Sequence, residues 1–165
     1  MSKKAMVIVC MLCSGLFLPL AAAEDFVIKD YVFTWYVAEV EEAKIEIQKS
    51  PKGVAVILKS LGGPLASLSI LPSQATAIGE VLKKTEEYYN EQKKSEDLKS
   101  SKAVPAGNYR VTFSSKQGSS FVVSVAESKV LGAAVLLSKD AAIKVEKYLL
   151  KAEAMAAFAD KRVRP

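Results

Sequence analysis

Two stretches of this chain carry the same succession of sequence patterns, and this repetition constrains the fold more than any other feature. In the first stretch, residues 44–48 alternate polar and apolar side chains, residues 54–58 are apolar and β-branched, and residues 66–70 alternate again. Alternation with a period of two is typical of half-buried strands, and a β-branched run is typical of a buried one. Turn residues at 50–53 and 62–64 separate the three segments. The first stretch therefore predicts a three-stranded antiparallel meander.

A helix is predicted directly after the third strand. Pro72 and Ser73 open it, and we expect Ser73 to be its N-cap because a serine hydroxyl accepts a hydrogen bond from the first helical turn. Apolar residues then recur at helical spacing and predict one face turned to the core. The members of this face are Ala75, Ile78, Val81, Leu82, Thr85 and Tyr88 or Tyr89.

The second stretch repeats this order of elements. Strands are predicted at residues 109–113, 121–125 and 133–137, and Ser138 is expected to cap a second helix. The turn glycine Gly118 follows Gly53 by 65 residues, and Ser138 follows Ser73 by the same 65 residues. The second helix is expected to face the core with Ala141, Val145, Tyr148, Leu149, Ala152 and Met155.

These patterns predict an α+β fold made of two tandem antiparallel βββ(β)α units, whose sheets are packed with two helices. The units span about residues 31–91 and 107–158. Residues 31–40 are aromatic and β-branched and add a strand before the first unit. Residues 90–107 are polar and lysine-rich, and they are expected to be a linker. Residues 159–165 are expected to be a frayed basic tail.

The first 23 residues have the three parts of a cleavable signal peptide. Lys3 and Lys4 form a positive start, residues 5–18 are apolar, and Ala21 and Ala23 are the small residues that signal peptidases accept. We therefore expect export to the periplasm or the extracellular space, cleavage after Ala23, and no membrane span in the rest of the chain.

Cleavage changes the composition of the working protein. Cys10 and Cys13 are the only cysteines and both are removed, so the mature chain has no disulfide although it enters an oxidising compartment. Its net charge falls from +5 to +3 with the loss of two lysines. The remaining 142 of the 165 residues, 24–165, are enough for a single domain held together by its core alone.

The composition excludes several chemistries. Histidine is absent from the whole chain and cysteine from the mature chain, which excludes the serine–histidine–aspartate triad, thiolate nucleophiles and the usual zinc ligand sets. No glycine-rich phosphate loop is present. Most carboxylates fall on predicted helix faces or in the linker, where charges are usually solvated. A serine–lysine pairing stays open, although the serines concerned lie in predicted turns. We predict a protein that is not an enzyme and has no catalytic residue, metal site or cofactor.

The second unit contains a strand–strand–helix succession that can be compared with known families. Residues 118–125 (Gly-Ser-Ser-Phe-Val-Val-Ser-Val), an irregular hairpin, residues 135–142 (Val-Leu-Leu-Ser-Lys-Asp-Ala-Ala) and a helix with Tyr-Leu-Leu at 148–150 follow one another. This succession resembles the Whirly and PC4-like class of single-stranded nucleic-acid-binding folds, over about fifty residues here and loosely in the first unit. The lysine-rich motif of the Whirly group has no counterpart in residues 31–48, so no binding residue is transferred from the family.

The residues themselves give a parallel list of candidates for a binding surface. A single-strand binder needs a cationic groove with exposed aromatic side chains. Because Tyr109 and Phe113 share a strand face with Val111, we expect them in the core, whereas Tyr36 is expected on an outer face. The candidate ligand or nucleic-acid surface comprises Tyr36, Lys44, Lys49, Lys52, Lys59, Arg110, Lys116 and Lys129.

Two functions are compatible with these observations. The preferred one is an exported, non-catalytic domain that binds another protein, a cell-envelope component or a small ligand, with homodimerisation through an edge strand or through residues 31–40 as a variant. The alternative is a single-stranded nucleic-acid-binding protein of Whirly or PC4-like architecture. A continuous positive groove that contains Tyr36 and the strand lysines would favour the alternative, and mixed charge would favour the first.

Overall fold

The computed structural model describes residues 30–62, 66–95, 98–116, 119–129 and 133–162. The signal peptide predicted at residues 1–23 lies outside the described residues. Within them the chain forms two four-stranded antiparallel sheets and four helices. The predicted α+β class and the two-unit order of strands followed by helices are confirmed.

The first unit is a meander of four strands followed by two helices. Its strands are β1 (Phe33–Val40), β2 (Ala43–Ser50), β3 (Gly53–Ser60) and β4 (Ser67–Ile70), and they neighbour one another in chain order. Its helices are α1 (Pro72–Leu82) and α2 (Thr85–Lys93). Residues 31–40, predicted as an added strand, provide β1 at the edge of this sheet.

The second unit repeats the arrangement. Its strands are β5 (Ser100–Ala106), β6 (Tyr109–Lys116), β7 (Ser119–Glu127) and β8 (Ala134–Leu137), again paired in chain order. Its helices are α3 (Lys139–Leu149) and α4 (Ala152–Arg162).

The segment expected to be a linker, residues 90–107, differs most from the prediction. It contains the end of α2 and the whole of β5, which pairs with β6 over its full length. The strand propensity of Ser-Ser-Lys-Ala-Val-Pro-Ala is low, so its own sequence did not reveal it. The segment forms a strand because it pairs with β6 and buries Ala106, and these tertiary contacts outweigh its low intrinsic strand propensity.

The start of the first helix also differs from the prediction. Leu71 is the N-cap of α1 and makes no side-chain capping bond, while Ser73 lies inside the first turn. Ser138 caps α3 as predicted, and its hydroxyl accepts a hydrogen bond from the Ala141 amide at 3.1 Å. Ser138 therefore corresponds to Leu71, at an interval of 67 residues rather than the 65 expected.

Each predicted helix is divided in two, at residues 83–84 and 150–151. The division lets the second helix of each unit leave its own sheet. Helix α2 lies against β5, β6 and β7 of the second unit, and α4 lies against β2 and β3 of the first. The two units have thus exchanged their last helices, and each sheet is covered by a helix from the other unit.

Specific contacts hold the exchanged helices in place. Gln92 Nε2 on α2 donates to the Phe113 carbonyl on β6 at 3.0 Å. Lys49 on β2 forms an ion pair with Asp160 on α4. Both contacts join the two units, so the chain folds as one body.

Helices α1 and α3 pack against each other between the two sheets, and Gly79 permits their close approach. A Cβ atom added at Gly79 would lie 3.0 Å from the Leu150 amide nitrogen and 3.2 Å from the Leu149 carbonyl carbon. The core formed around this crossing includes the predicted residues Ala75, Ile78, Leu82, Thr85, Tyr88, Tyr109, Val111, Phe113, Ala141, Val145 and Leu149, all of them buried.

Candidate functional site

The outer face of the first sheet brings together three of the predicted binding residues, Tyr36, Lys44 and Lys59. Tyr36 is 60% exposed, and Lys44 Nζ lies 5.5 Å from the centroid of its ring. A cation over an aromatic face is attracted by the negative face of the ring. Lys59 lies on β3, beside Lys44 in the strand register. In the first sheet, this group of side chains is the part that most resembles the predicted aromatic and cationic surface.

Glu46, which was not among the predicted binding residues, lies within this group and neutralises one of its two positive charges. Its carboxylate is paired with Lys44 at 2.7 Å and with Lys59 at 2.6 Å. Glu46 is only 5% exposed, because it occupies the middle of the sheet between Tyr36 on β1 and Ile57 on β3. Its alternation with Lys44 along β2 was the signal that could have identified it, since residues two apart share a strand face.

The pKa values in this group reflect the pairing. Hydrogen bonds from Lys44 and then from Lys59 lower the pKa of Glu46, although burial opposes them. The hydrogen bond to Glu46 raises the pKa of Lys44. One carboxylate is thus paired with two lysines, so the positive charge that a polyanion would meet here is reduced to the excess of one lysine.

Lys49 and Lys52 do not join this surface. The Lys49 side chain lies on the helix-facing side of the sheet, where Asp160 holds it and raises its pKa through their hydrogen bond. Lys52 lies in the turn between β2 and β3 and is exposed. Strand alternation explains the difference at Lys49, because it lies five positions after Lys44 and residues an odd number of positions apart point to opposite faces of a sheet.

The remaining three predicted residues belong to the second unit. Arg110 lies exposed on the outer face of β6, Lys116 is at the end of the same strand opposite Ser119, and Lys129 lies in the bend after β7. The eight predicted residues therefore do not form one surface. They lie on two different sheets, on a turn and a bend, and in one case beneath a helix.

The outer face of the second sheet is chemically different from that of the first. Its side chains are short or apolar, and among its three strand rows Arg110 carries the one charge. Leu136 on β8 is 48% exposed, and Val122 on β7 and Pro105 on β5 are exposed as well. The three rows are Ser101, Ser114 and Val122; Ala103, Thr112, Ser124 and Leu136; and Pro105, Arg110, Ala126 and Ala134.

Two of the depressions in the described part of the molecule lie beside polar or charged side chains. One, of about 490 Å³, lies between the turn after β1 and helix α3 and contains charges of both signs, with Glu41 and Lys144 paired at 2.9 Å. The other, of about 360 Å³, lies at the ends of β5, β6 and β7 and is lined mainly by serines. The Ser115 hydroxyl in its wall is buried without a hydrogen-bond partner.

No arrangement typical of metal binding occurs among the described residues. They contain no cluster of three or more histidine, cysteine, aspartate or glutamate side chains placed to hold a metal ion. In the same part of the chain, no helix is long and apolar enough to cross a bilayer.

Comparison with known proteins adds no assignment. No protein-family model matches the chain, and no curated protein matches it with significant similarity.

Proposed function

We propose that this protein is exported and works without catalysis, by binding a protein partner through the outer face of its second sheet. The observation that carries the proposal is the composition of this face. Its three regular strand rows carry small and apolar side chains, with exposed Leu136 and Val122 and a single charge at Arg110, while Lys116 lies beyond these rows at the end of β6. Such a face differs from an ordinary solvated sheet. Depletion of charge around exposed apolar residues is typical of the centres of protein interfaces.

The same face defines the chemistry of the partner. The alanines, the serines and the one threonine of this face permit close approach of another protein, and Leu136 and Val122 provide the apolar contacts. Arg110 needs an acceptor when water is excluded, because an unpaired buried charge is costly. The expected partner is therefore a protein or a proteinaceous envelope component with an uncharged, apolar surface and one carboxylate opposite Arg110.

Site-specific photocrosslinking tests the proposal. A photoreactive amino acid at Leu136 should give a discrete crosslinked protein in cells that export the chain. The same probe at Ser69, exposed on the outer face of the first sheet, serves as the matched control and should not. Leu136→Glu should abolish the adduct formed from a probe at Val122 while the melting temperature stays unchanged. Equal adducts from both sheets, or an adduct that survives Leu136→Glu, would contradict the proposal.

Export is tested separately. Mass spectrometry of the protein from its native compartment should show a chain that begins at Glu24. A full-length chain beginning at Met1 in the soluble fraction would contradict export.

Nucleic-acid binding is the alternative, and the grouping of Tyr36 with Lys44 and Lys59 is the observation in its favour. Glu46 opposes it, because a carboxylate bonded to both lysines repels phosphate. A labelled single-stranded oligonucleotide should therefore show no salt-dependent change in fluorescence anisotropy with the mature protein. Binding that weakens steeply with salt would favour the alternative, since counterion release gives such a slope.

A further inference from the structure

The two sheets have edge strands at corresponding positions, β1 in the first unit and β5 in the second, and these edges differ in chemistry. Thr34 on β1 and Ser101 on β5 are equivalent, because Thr34 pairs with Gln48 on β2 and Ser101 pairs with Ser114 on β6. An edge strand presents unpaired amide and carbonyl groups, and proteins usually protect such strands with proline, lysine or short length.

The β5 edge is protected in this way. Pro105 has no amide hydrogen to offer another strand. Lys102 is exposed on the same strand, next to two serines. If two copies met through β5 across a two-fold axis at Lys102, the two lysines would lie directly opposite each other, and like charges opposite each other in a sheet are destabilising.

The β1 edge has none of these protections. Residues 31–38 contain no charged residue, no proline and no glycine. Among the described residues, the only strand paired with β1 is β2. Exposed apolar side chains accompany the open edge: Val32 is 65% exposed, Phe33 is 45% exposed, and Tyr36 lies on the outer face. Phe33 also stands in a row with Tyr31 and Trp35, with ring centroids 5.3 and 6.4 Å from its own.

We infer that β1 pairs with β1 of a second copy of this chain, antiparallel and centred near Thr34. β1 begins at Phe33, and the register shift between Tyr36 and Ala38 interrupts its pairing, which leaves residues 33–36 as the continuous paired stretch, directly preceded by Val32. A two-fold axis at Thr34 places Val32 opposite Tyr36 of the second copy and Phe33 opposite Trp35. No charge lies within this stretch, so no like-charged pair forms across the axis. The two first sheets then become one sheet of eight strands.

This inference goes beyond the proposed function and does not depend on it. The proposed partner surface is the outer face of the second sheet, whereas self-association uses the edge of the first. Variants in β1 therefore leave Leu136 and Arg110 unchanged, and failure of either proposal can be recognised while the other is retained.

Sedimentation equilibrium of the chain that begins at Glu24 is the first test. The wild-type protein should be a dimer, and Thr34→Lys should weaken self-association by at least about tenfold, because it places two lysines together at the axis. Ser101→Lys, the same change at the equivalent position of β5, is the matched control and should leave the dimer intact. A monomeric wild type, or a Thr34→Lys variant that dimerises normally, would overturn the inference.

Cysteine crosslinking gives an independent test, since the chain from Glu24 onward contains no cysteine. Thr34→Cys should form a disulfide-linked dimer under mild oxidation, because residues at a two-fold strand axis lie within disulfide reach. Ser101→Cys should stay monomeric on a non-reducing gel. Equal crosslinking at the two positions would show random collision and would count against pairing through β1.

Discussion

Glu46 lies on the outer surface of a sheet, yet its side chain is almost wholly removed from water. Its two lysine partners compensate the cost of desolvating its charge, and they are themselves only partly exposed. Burying one charge of such a group is tolerable only while its partners remain. Glu46 therefore contributes to stability at the centre of the surface that sequence analysis assigned to ligand binding.

The first prediction concerns this residue. Glu46→Gln should lower the free energy of unfolding by about 1–3 kcal/mol, because charge-assisted hydrogen bonds to two lysines are lost. Urea denaturation measures the change. The control is Glu80→Gln on α1, where an exposed pair with Lys83 at 2.7 Å is lost and a change below about 0.5 kcal/mol is expected. Equal effects of the two substitutions would show that Glu46 is solvated in solution.

The pH dependence of stability follows from the lowered pKa of Glu46. A carboxyl group whose pKa is lower in the folded state stabilises the fold fully above its unfolded pKa, near 4.5. This contribution is lost as the pH falls from there through the pKa of the folded state. The wild type and Glu46→Gln should therefore converge in stability below pH 4.5, and a constant difference across that range would contradict the assigned cause.

Among the elements, the N-termini of α1 and α3 offer a matched comparison. Ser138 caps α3 through the Ala141 amide, and its hydroxyl also donates to Glu41 at 2.8 Å. Leu71 holds the corresponding position of α1, where it is 58% exposed and makes no capping bond. Its backbone is already extended, with φ −62° and ψ 143°, as an N-cap requires.

The second prediction uses this pair of positions. Ser138→Ala should destabilise the protein by about 1 kcal/mol, and Leu71→Ser should stabilise it by about 0.5–1 kcal/mol by providing the absent cap. Thermal and urea denaturation of both variants check the signs. A destabilising Leu71→Ser would mean that the contacts of the exposed leucine outweigh a new cap.

At the scale of the whole molecule, the exchange of α2 and α4 makes the two units dependent on each other. The inner face of the first sheet is covered by α4, which follows it in the chain only after the whole second sheet and α3, and the second sheet is covered by α2. Removing one unit would expose the apolar face of the other sheet and leave the exchanged helix without its site.

The third prediction follows from this exchange. Residues 30–95 and 98–162, expressed separately, should each lack a cooperative thermal transition, whereas the whole chain should unfold in a single transition. Circular dichroism and the dispersion of amide proton resonances distinguish the outcomes. A half that unfolds cooperatively by itself would contradict the proposed interdependence, and a mixture of halves that regains the transition would support it.

Sequence patterns alone determined the order of seven of the eight strands, the faces of most strands and the inward sides of the two predicted helices. Periodicity at Tyr109, Val111 and Phe113 placed these residues in the core, because the period of a strand depends only on neighbouring residues. The same logic placed Tyr36 on an outer face. It did not find β5, whose Ser-Ser-Lys sequence has little strand propensity and is ordered by pairing with β6.

Only the tertiary structure decided which of these elements meet. The pairing of Lys49 with Asp160 joins residues 111 positions apart, and the exchange of α2 and α4 brings each helix to a sheet of the other unit. No local pattern encodes such contacts, since they depend on the path of the whole chain. The same is true of the candidate surface: the sequence supplied its lysines, and the fold distributed them over two sheets and placed Glu46 between two of them.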